Sequence, residues 1–455
     1  MPRLFISLLA TLVISGCVTT PNREKEQQPV KNLPTRWEAK PNTTLVPPSW
    51  LAGFNDPCLQ NLVNESLTTN FDLQAAAARV EAAKASAKIA ASGRFPQLFF
   101  SPGYERGETH AVGQSTDKIS AFQALFDLNW ELDVWGRIKD FSSASRLEAQ
   151  ATANDFRAAR LSLAARTAQA YFKLTESNLQ VKVAEESIKD RRTVVDLVRG
   201  RFNRGLTQGL DLRLALTDLT SAEAQLADSR NQVQLAARQL EVLLGRYPSG
   251  KAVNPAKLPN PPEPLQAGLP SEILQRRPDV AAAFERLKAA DHRVASAQKA
   301  LLPRVTLTAS GGIRSSSLSE IIDPRAAAWN FLMGLSQPLF TGGRLSSEID
   351  LQKAQVNEAL NYYRQTALTA FSEVEQSLAA EEWLRRQEKA LYANVLQTEE
   401  SRKSAITAYR RGVIQILTLL DSYRSTLSAQ SEYFAVQRQL LNNRINLYLA
   451  LGADV

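Results

Sequence analysis

Phe122-Gln123-Ala124-Leu125-Phe126-Asp127-Leu128-Asn129-Trp130-Glu131-Leu132 carries an apolar side chain at every even position. The odd positions are Gln123, Asp127, Asn129 and Glu131, with Leu125 the exception. A period of two belongs to a β-strand, whose successive side chains point to opposite faces. In the same way Val305, Leu307, Ala309 and Ile313 alternate with Arg304, Thr306, Thr308, Ser310 and Arg314. Leu98, Phe100, Pro102 and Tyr104 supply a third apolar face, and Trp329, Phe331, Met333 and Leu335 a fourth, both less regular. Polar loops, Gly107 to Lys118 and Ser315 to Ala328, join each pair. Segments of about ten residues with this alternation match membrane strands. A soluble sheet with one buried face also alternates. In lipid, four strands cannot close a barrel and open edges are excluded. The smallest bacterial membrane barrels use about eight strands, so a membrane reading requires several copies of the chain.

Each strand pair sits inside one copy of a tandem repeat. Asp72 and Asp279 are separated by 207 positions (279 minus 72), as are Pro96 and Pro303, Gly136-Arg137 and Gly343-Arg344, and Gln169 and Gln376. Phe202-x-x-Gly205 becomes Tyr409-x-x-Gly412, and Leu244-Gly245 becomes Leu451-Gly452, at the same offset. Six landmarks at one offset mark a duplication. Each copy reads as a helix, a strand pair and two long helices. Between Gly136 and Gly200 lie 63 residues with neither Gly nor Pro, and Arg344 to Arg411 gives 68 more. At about 1.5 Å per residue each approaches about 100 Å. Positions 147, 151, 154, 158, 161, 165, 168, 172, 175 and 179 follow 4-3 spacing with mostly small or apolar residues. That spacing suits closely packed coiled-coil helices, and a plain helical bundle equally.

The division expected from the sequence is a signal peptide at 1–16, a tether at 17–57 and a first repeat at 58–245. A Pro-rich connector at 246–278 and a second repeat at 279–455 follow. Within the repeats the strand pairs fall at 96–132 and 303–339, and the long helices at 137–245 and 344–452. Arg3 and the apolar run Leu4 to Ile14 form an export signal, too short for a spanning helix. Val13-Ile14-Ser15-Gly16-Cys17 resembles the bacterial lipobox, which implies a covalent lipid on Cys17. An ordinary signal with a chance cysteine is the competing reading. Val18, where inner-membrane retention typically involves Asp, points to the outer membrane.

The formal charge is +8, from 54 Lys and Arg against 46 Asp and Glu. Removal of Arg3 with the signal leaves +7. The signs are interleaved, so no nucleic-acid footprint is read. Mean hydropathy is −0.24, and no later stretch reaches the roughly 18 apolar residues of a membrane helix. Two Cys and two His are too few for a zinc cluster of the usual kind. No G-x-S-x-G, HExxH or P-loop occurs, so the chain reads as a non-enzyme without cofactor.

Phe54-Asn55-Asp56-Pro57, Asn70-x-Asp72-Leu73, Gly268-Leu269-Pro270-Ser271 with Arg276-Arg277-Pro278-Asp279, Leu339-Phe340-x-Gly342-Gly343-Arg344 and Tyr409-x-x-Gly412 together resemble the TolC-like outer membrane factors. Within these they resemble the lipidated OprM/NodT-type efflux branch. The resemblance covers nearly all of the chain after the signal. It implies an α+β membrane protein in which a long α-helical coiled-coil barrel continues a trimeric transmembrane β-barrel of four strands per protomer. It also implies a passive exit duct for small molecules such as drugs, with a periplasmic adaptor and an inner-membrane pump as partners. A lipid-anchored periplasmic coiled-coil spacer or adhesin is the alternative.

The resemblance also suggests sites. Gly205, Leu206 and Thr207, with Gly412 and Val413, lie at helix reversals where an adaptor would dock; they also read as turns alone. Leu417 and Asp421 stand where the family narrows its gate. TolC carries a second Asp three residues earlier, where this chain has Thr418. A solvated position on the helical wall is the bland reading of Asp421. Cys58 lacks the lipobox spacing. Labelled palmitate should therefore enter the wild-type chain and not a Cys17→Ser chain. Label persisting in Cys17→Ser would overturn this assignment.

Overall fold

A computed structural model describes residues 20, 21, 23, 37, 38, 50–109, 117–251, 257–262 and 270–454. The export signal, Cys17 and most of the tether lie outside these residues, as do Gly268 and Leu269. A 3-10 turn at Leu51–Phe54 precedes the first repeat. That repeat comprises α1 (Pro57–Thr69), α2 (Phe71–Ser92), β1 (Gln97–Thr109), β2 (Asp117–Leu132), α3 (Arg137–Phe202) and α4 (Gly209–Leu243). The second begins earlier than expected, with a helix inside the stretch read as a Pro-rich connector; it comprises α5 (Pro270–Arg276), α6 (Pro278–Lys299), β3 (Arg304–Ser315), β4 (Ala327–Ser336), α7 (Arg344–Arg410) and α8 (Ile416–Ala450). The starts of α2 and α6, β1 and β3, α3 and α7, and α4 and α8 all recur at the 207-residue offset.

The repeats are successive in sequence but interleaved in space. One compact unit is built chiefly from Arg79–Ala153 and Ala282–Gln365; the other takes Val30–Ala78, Asn154–Ala281 and Thr366–Val455. Each unit draws on both repeats.

In the first unit the two expected strand pairs join into one antiparallel sheet, ordered β1-β2-β3-β4. The junction is β2 with β3, from Phe122 opposite Ser315 to Leu132 opposite Val305. Register sets Leu98, Leu128, Ala309 and Phe331 in one row, and Phe100, Phe126, Gly311 and Trp329 in another. That face is therefore apolar through these rows, and turns polar toward one end of the sheet at Arg106, Ser120 and Ser315. Its rings pair across strands, Phe100 with Phe126 at 5.1 Å and Tyr104 with Phe122 at 4.4 Å between centroids. The other face carries the row Asp127, Ser310 and Asn330, and an Arg314–Glu105 ion pair of 3.0 Å. Phe99, Leu125 and Leu332 depart from this polarity. Trp329 remains 83% exposed and Leu335 70%, so the chain leaves its own apolar face bare.

Below the sheet, Asp133 accepts from the backbone of Ile138 at 2.9 Å and of Lys139 at 2.6 Å. This caps α3, a contact worth about 1 kcal/mol. Trp135 Nε1 donates to the Pro303 carbonyl at 2.7 Å. The start of α3 packs on α6 through Ala144, Leu147 and Ala289. Polar contacts flank that core: Asp140 meets His292 and Lys299, and Glu148 meets Arg286 and Arg293.

In the second unit, the 4-3 positions Ala165, Ala168, Phe172 and Thr175 are buried, as expected of a seam. Asp56 explains the Phe54–Pro57 landmark. One carboxylate oxygen caps α1, accepting from Cys58 and Leu59 N–H at 3.0 and 3.1 Å, and the other accepts from the Tyr171 hydroxyl at 2.8 Å. Phe54 packs on Phe172 and Tyr448, and Trp50 stacks on Tyr448 at 5.9 Å. Burial pushes the Cys58 thiol above its ordinary pKa.

The Leu-Gly landmark has a steric cause, repeated in both copies. Gly245 and Gly452 adopt φ of +66° and +67°. A Cβ on Gly245 would stand 2.6 Å from the Thr69 carbonyl oxygen, and one on Gly452 3.0 Å from that of Arg276. Asn70 and Arg277, at the same offset, donate to the carbonyls of Leu243 and Ala450. The end of each long helix thus docks on the short helix that opens its own repeat. Forcing a side chain into this conformation costs about 1–3 kcal/mol. Gly452→Ala should lower the midpoint of thermal unfolding of detergent-extracted protein. Gly200→Ala, in helix α3 with open space around it, should leave the midpoint unchanged or raise it, since Gly is about 1 kcal/mol worse than Ala in a helix. Equal midpoints for the two would contradict the steric account.

Candidate functional site

The chain reverses twice within the second unit, at 203–208 between α3 and α4 and at 411–415 between α7 and α8. Both reversals close alike. Gly205 N–H donates to Phe202 O at 2.9 Å and Leu206 N–H to Arg201 O at 3.0 Å. Gly412 N–H donates to Tyr409 O and Val413 N–H to Ala408 O, each at 3.0 Å. This bond pair ends a helix on a left-handed residue, and φ is +75° at Gly205 and +76° at Gly412.

Arg201 ties the two reversals together. Its Nη1 donates to the carbonyls of Tyr409 and Arg410 at 3.4 and 3.3 Å, and its guanidinium stands 5.2 Å from the Tyr409 ring centroid. A cation at the last carbonyls of a helix is favourable. Burial raises the Tyr409 hydroxyl pKa above its ordinary value. Thr207 turns inward and donates its hydroxyl to the Asp211 carboxylate. Leu206 and Val413 project into solvent, 59% and 74% exposed. The reversals therefore offer apolar side chains on a backbone that four helices hold.

The support beneath comes from all four helices. Val194 and Val198 of α3, Ala215 of α4, Tyr409 of α7, and Ile416 and Leu420 of α8 belong to one buried cluster. Above this core, buried Asp218 of α4 receives Arg191 Nε of α3 at 2.7 Å and Arg424 Nε of α8 at 2.9 Å. Asp190 of α3 pairs with Arg402 of α7, which lies over the Tyr423 ring at 5.6 Å. The Asp218–Arg424 and Asp190–Arg402 links join the first repeat to the second.

Leu417 and Asp421 stand on the exposed side of α8, one helical turn apart. Leu417 is 57% exposed. Asp421 is exposed and has no hydrogen bond or ion pair among the described residues. The site residues expected from the sequence thus fall into two sets. Gly205, Thr207 and Gly412 build the reversals, whereas Leu206, Val413, Leu417 and Asp421 remain available to something outside the chain. Sequence reasoning missed Asp218, Arg191 and Arg424. A signal for Asp218 existed: positions 215, 218 and 222 of α4 are all buried, so this carboxylate interrupts a stripe of alanines. Among the described residues no group of His, Cys, Asp and Glu could hold a metal, and no helix is long and apolar enough to cross a membrane.

Comparison with known proteins agrees with this geometry. A family profile described as "Outer membrane efflux protein" matches residues 62–246 and 269–453, one block for each repeat. The outer membrane protein OprJ of Pseudomonas aeruginosa is 31% identical over 98% of this chain and 95% of its own. The cation efflux system protein CusC of Escherichia coli is 28% identical over 99% and 98%. Among solved structures, the outer-membrane channel OprN superposes with a TM-score of 0.89 at 27% identity, covering 96% of this chain and 99% of its own. The open state of the Neisseria gonorrhoeae MtrE channel gives 0.84 at 27% identity, covering 96% and 99%.

The buried ion pair carries a testable contrast. The Arg191 and Asp218 side chains are 5% and 3% exposed, and that of Arg424 is 61% exposed. Breaking a buried pair costs about 3–5 kcal/mol; an exposed pair contributes about 0–1 kcal/mol. Asp218→Asn should therefore lower the thermal unfolding midpoint far more than Arg424→Ala. Similar midpoints would show that Arg191–Asp218 is not the main link.

Proposed function

Because the chain belongs to the outer membrane efflux protein family, we propose that it forms, as a homotrimer, the passive exit duct of a tripartite efflux or export system. The observation that carries this reading is the bare apolar face of the four-stranded sheet. Burying a large apolar side chain contributes about 1.5–3 kcal/mol. A spacer or adhesin with its sheet in water would forgo that gain at Phe126, Trp329, Phe331, Met333 and Leu335 together. Against lipid the same side chains are in their own medium. Both outer strands, β1 and β4, have one unpaired edge among the described residues. In a bilayer such edges must be paired, and three copies of four strands exceed the smallest barrel size.

In this assembly the covalent lipid on Cys17 adds a second hold on the outer membrane, and the helices form the periplasmic part of the duct. The reversals carrying Leu206 and Val413 face a periplasmic adaptor that couples the duct to an inner-membrane pump. The pump supplies the energy, so the duct needs no cofactor and performs no chemistry. CusC is named for cation efflux and OprJ simply as an outer membrane protein; small molecules such as drugs are the cargo assigned here.

Leu417 and Asp421 narrow the closed duct. Three symmetry copies of one carboxylate converge on the axis, where they repel one another and favour cations. Exposure of both residues in the single chain, with Asp421 unpaired among the described residues, supports this role. Asp421→Ala in a trimer placed in a planar bilayer should raise conductance and weaken cation selectivity. If conductance and selectivity stay unchanged in Asp421→Ala and in Leu417→Ala/Asp421→Ala, with the trimer intact, these residues are not the gate.

A further inference from the structure

On the polar face of the sheet, Phe99, Leu125 and Leu332 are apolar, and one of them has a charged neighbour. Register sets Phe99 directly opposite Asp127. Side chains so opposed project to one face, with Cβ atoms about 4.5–5.5 Å apart. Leu125 lies on the same face, two positions from Asp127 along β2 and on the diagonal from Phe99, about 7–8 Å away. The chain engages neither member of the pair. Phe99 is 55% exposed, and its ring meets no other ring among the described residues; on the opposite face Phe100 and Tyr104 pair with Phe126 and Phe122. Asp127 has no hydrogen bond or ion pair among the described residues, whereas Glu105 and Glu131 on its own face are held by Arg314 and Arg137. The space beside Leu125 is open. Its row holds Ser101, Gly312 and Ala328, and a Cβ on Gly312 would collide with the Ala124 carbonyl oxygen, so no larger side chain can stand there.

The duplication shows that strand pairing does not require this ring and carboxylate. At the 207-residue offset Phe99 and Asp127 become Thr306 and Gly334, which are likewise opposite one another, while Leu125 becomes Leu332. Only the first repeat carries the pair. A ring left in water forgoes the gain of burial, and an unpaired carboxylate beside it attracts positive charge. Aromatic ring faces attract cations too, quaternary ammonium groups among them. We propose that Phe99, Asp127 and Leu125 form a cargo subsite on the lumenal wall for organic cations that carry an apolar body. The cationic group sits between the Phe99 ring and the Asp127 carboxylate, and the apolar body lies over Leu125 in the gap above Gly312. This names the cargo class of the duct proposed above and rests on that reading. A trimer presents three such subsites at one height of the barrel. Each binds weakly, because conduction requires that cargo leave as readily as it enters. Asp127 repels an anion of the same shape.

Block of the potassium current through the full-length trimer in a planar bilayer tests this, with benzyltrimethylammonium added from the side of the strand loops. The wild-type current should fall as benzyltrimethylammonium is added, and should not fall with benzenesulfonate at the same concentrations. Phe99→Leu keeps apolar bulk and removes the ring; it should raise the half-blocking concentration roughly two- to five-fold. Asp127→Asn should raise it by a similar factor or more, and Phe99→Tyr, which keeps a ring, should hold it near the wild-type value. Phe100→Leu, one residue along and on the apolar face, is the control and should leave it unchanged. One half-blocking concentration shared by wild type, Phe99→Leu and Asp127→Asn, with the potassium current intact, overturns the subsite and leaves the duct standing. Equal block by benzenesulfonate does the same. A shift in Phe100→Leu without one in Phe99→Leu would put the apolar face inside, overturning the duct reading and the subsite with it. So would a wild-type trimer that passes no potassium current.

Discussion

An apolar sheet face that its own chain leaves bare, bounded by two strands with unpaired edges, sets the terms for the rest of the structure. Water penalises the face, and lipid penalises the edges. A closed barrel in a bilayer satisfies both, and four strands cannot close alone. Several other features acquire a reason from this constraint. Among the described residues no helix is long and apolar enough to cross a membrane; in the proposed barrel the strands supply the wall. The polar sheet face, with Asp127, Ser310, Asn330 and the Arg314–Glu105 pair, is suited to a water-filled interior.

The duplication extends the same logic along the helices. Gly245 and Gly452 meet the carbonyls of Thr69 and Arg276, and Gly205 and Gly412 end their helices with the same two bonds. Where the copies differ, the difference marks a change of surroundings. Arg191, Asp218 and Arg424 cross-link the repeats beneath the reversals, whereas Leu417 and Asp421 are exposed, and Asp421 has no polar partner among the described residues. One end of the helical assembly thus has a fixed framework and a set of unengaged side chains.

Much of this was legible in the sequence because it is periodic. The two-residue alternation located all four strands, even the less regular Leu98–Tyr104 and Trp329–Leu335 segments, since a strand reports its faces locally. The constant offset located the duplication but not where its second copy begins, since α5 (Pro270–Arg276) falls in the stretch expected to be a connector, and the absence of Gly and Pro located α3 and α7. Pairings between distant elements were not legible. That β2 pairs with β3, joining two strand pairs into one sheet, depends on packing that no local pattern encodes. The compact units cut across the repeats for the same reason. Asp218 receives Arg191 from 27 positions away and Arg424 from 206, and only its place on a stripe of buried alanines hinted at a partner. Phe54–Pro57 stood out as a landmark, but the role of Asp56 as helix cap and acceptor for Tyr171 needed the fold.

The central claim is that the free edges of β1 and β4 are paired in the working protein and that the apolar face meets lipid. Amide hydrogen exchange on the protein in lipid nanodiscs tests this directly. A closed barrel protects the amides of β1 and β4 as strongly as those of β2 and β3, because every strand then has two neighbours. Fast exchange confined to the outward-directed amides of β1 and β4, with β2 and β3 protected, would leave the sheet open and contradict the account.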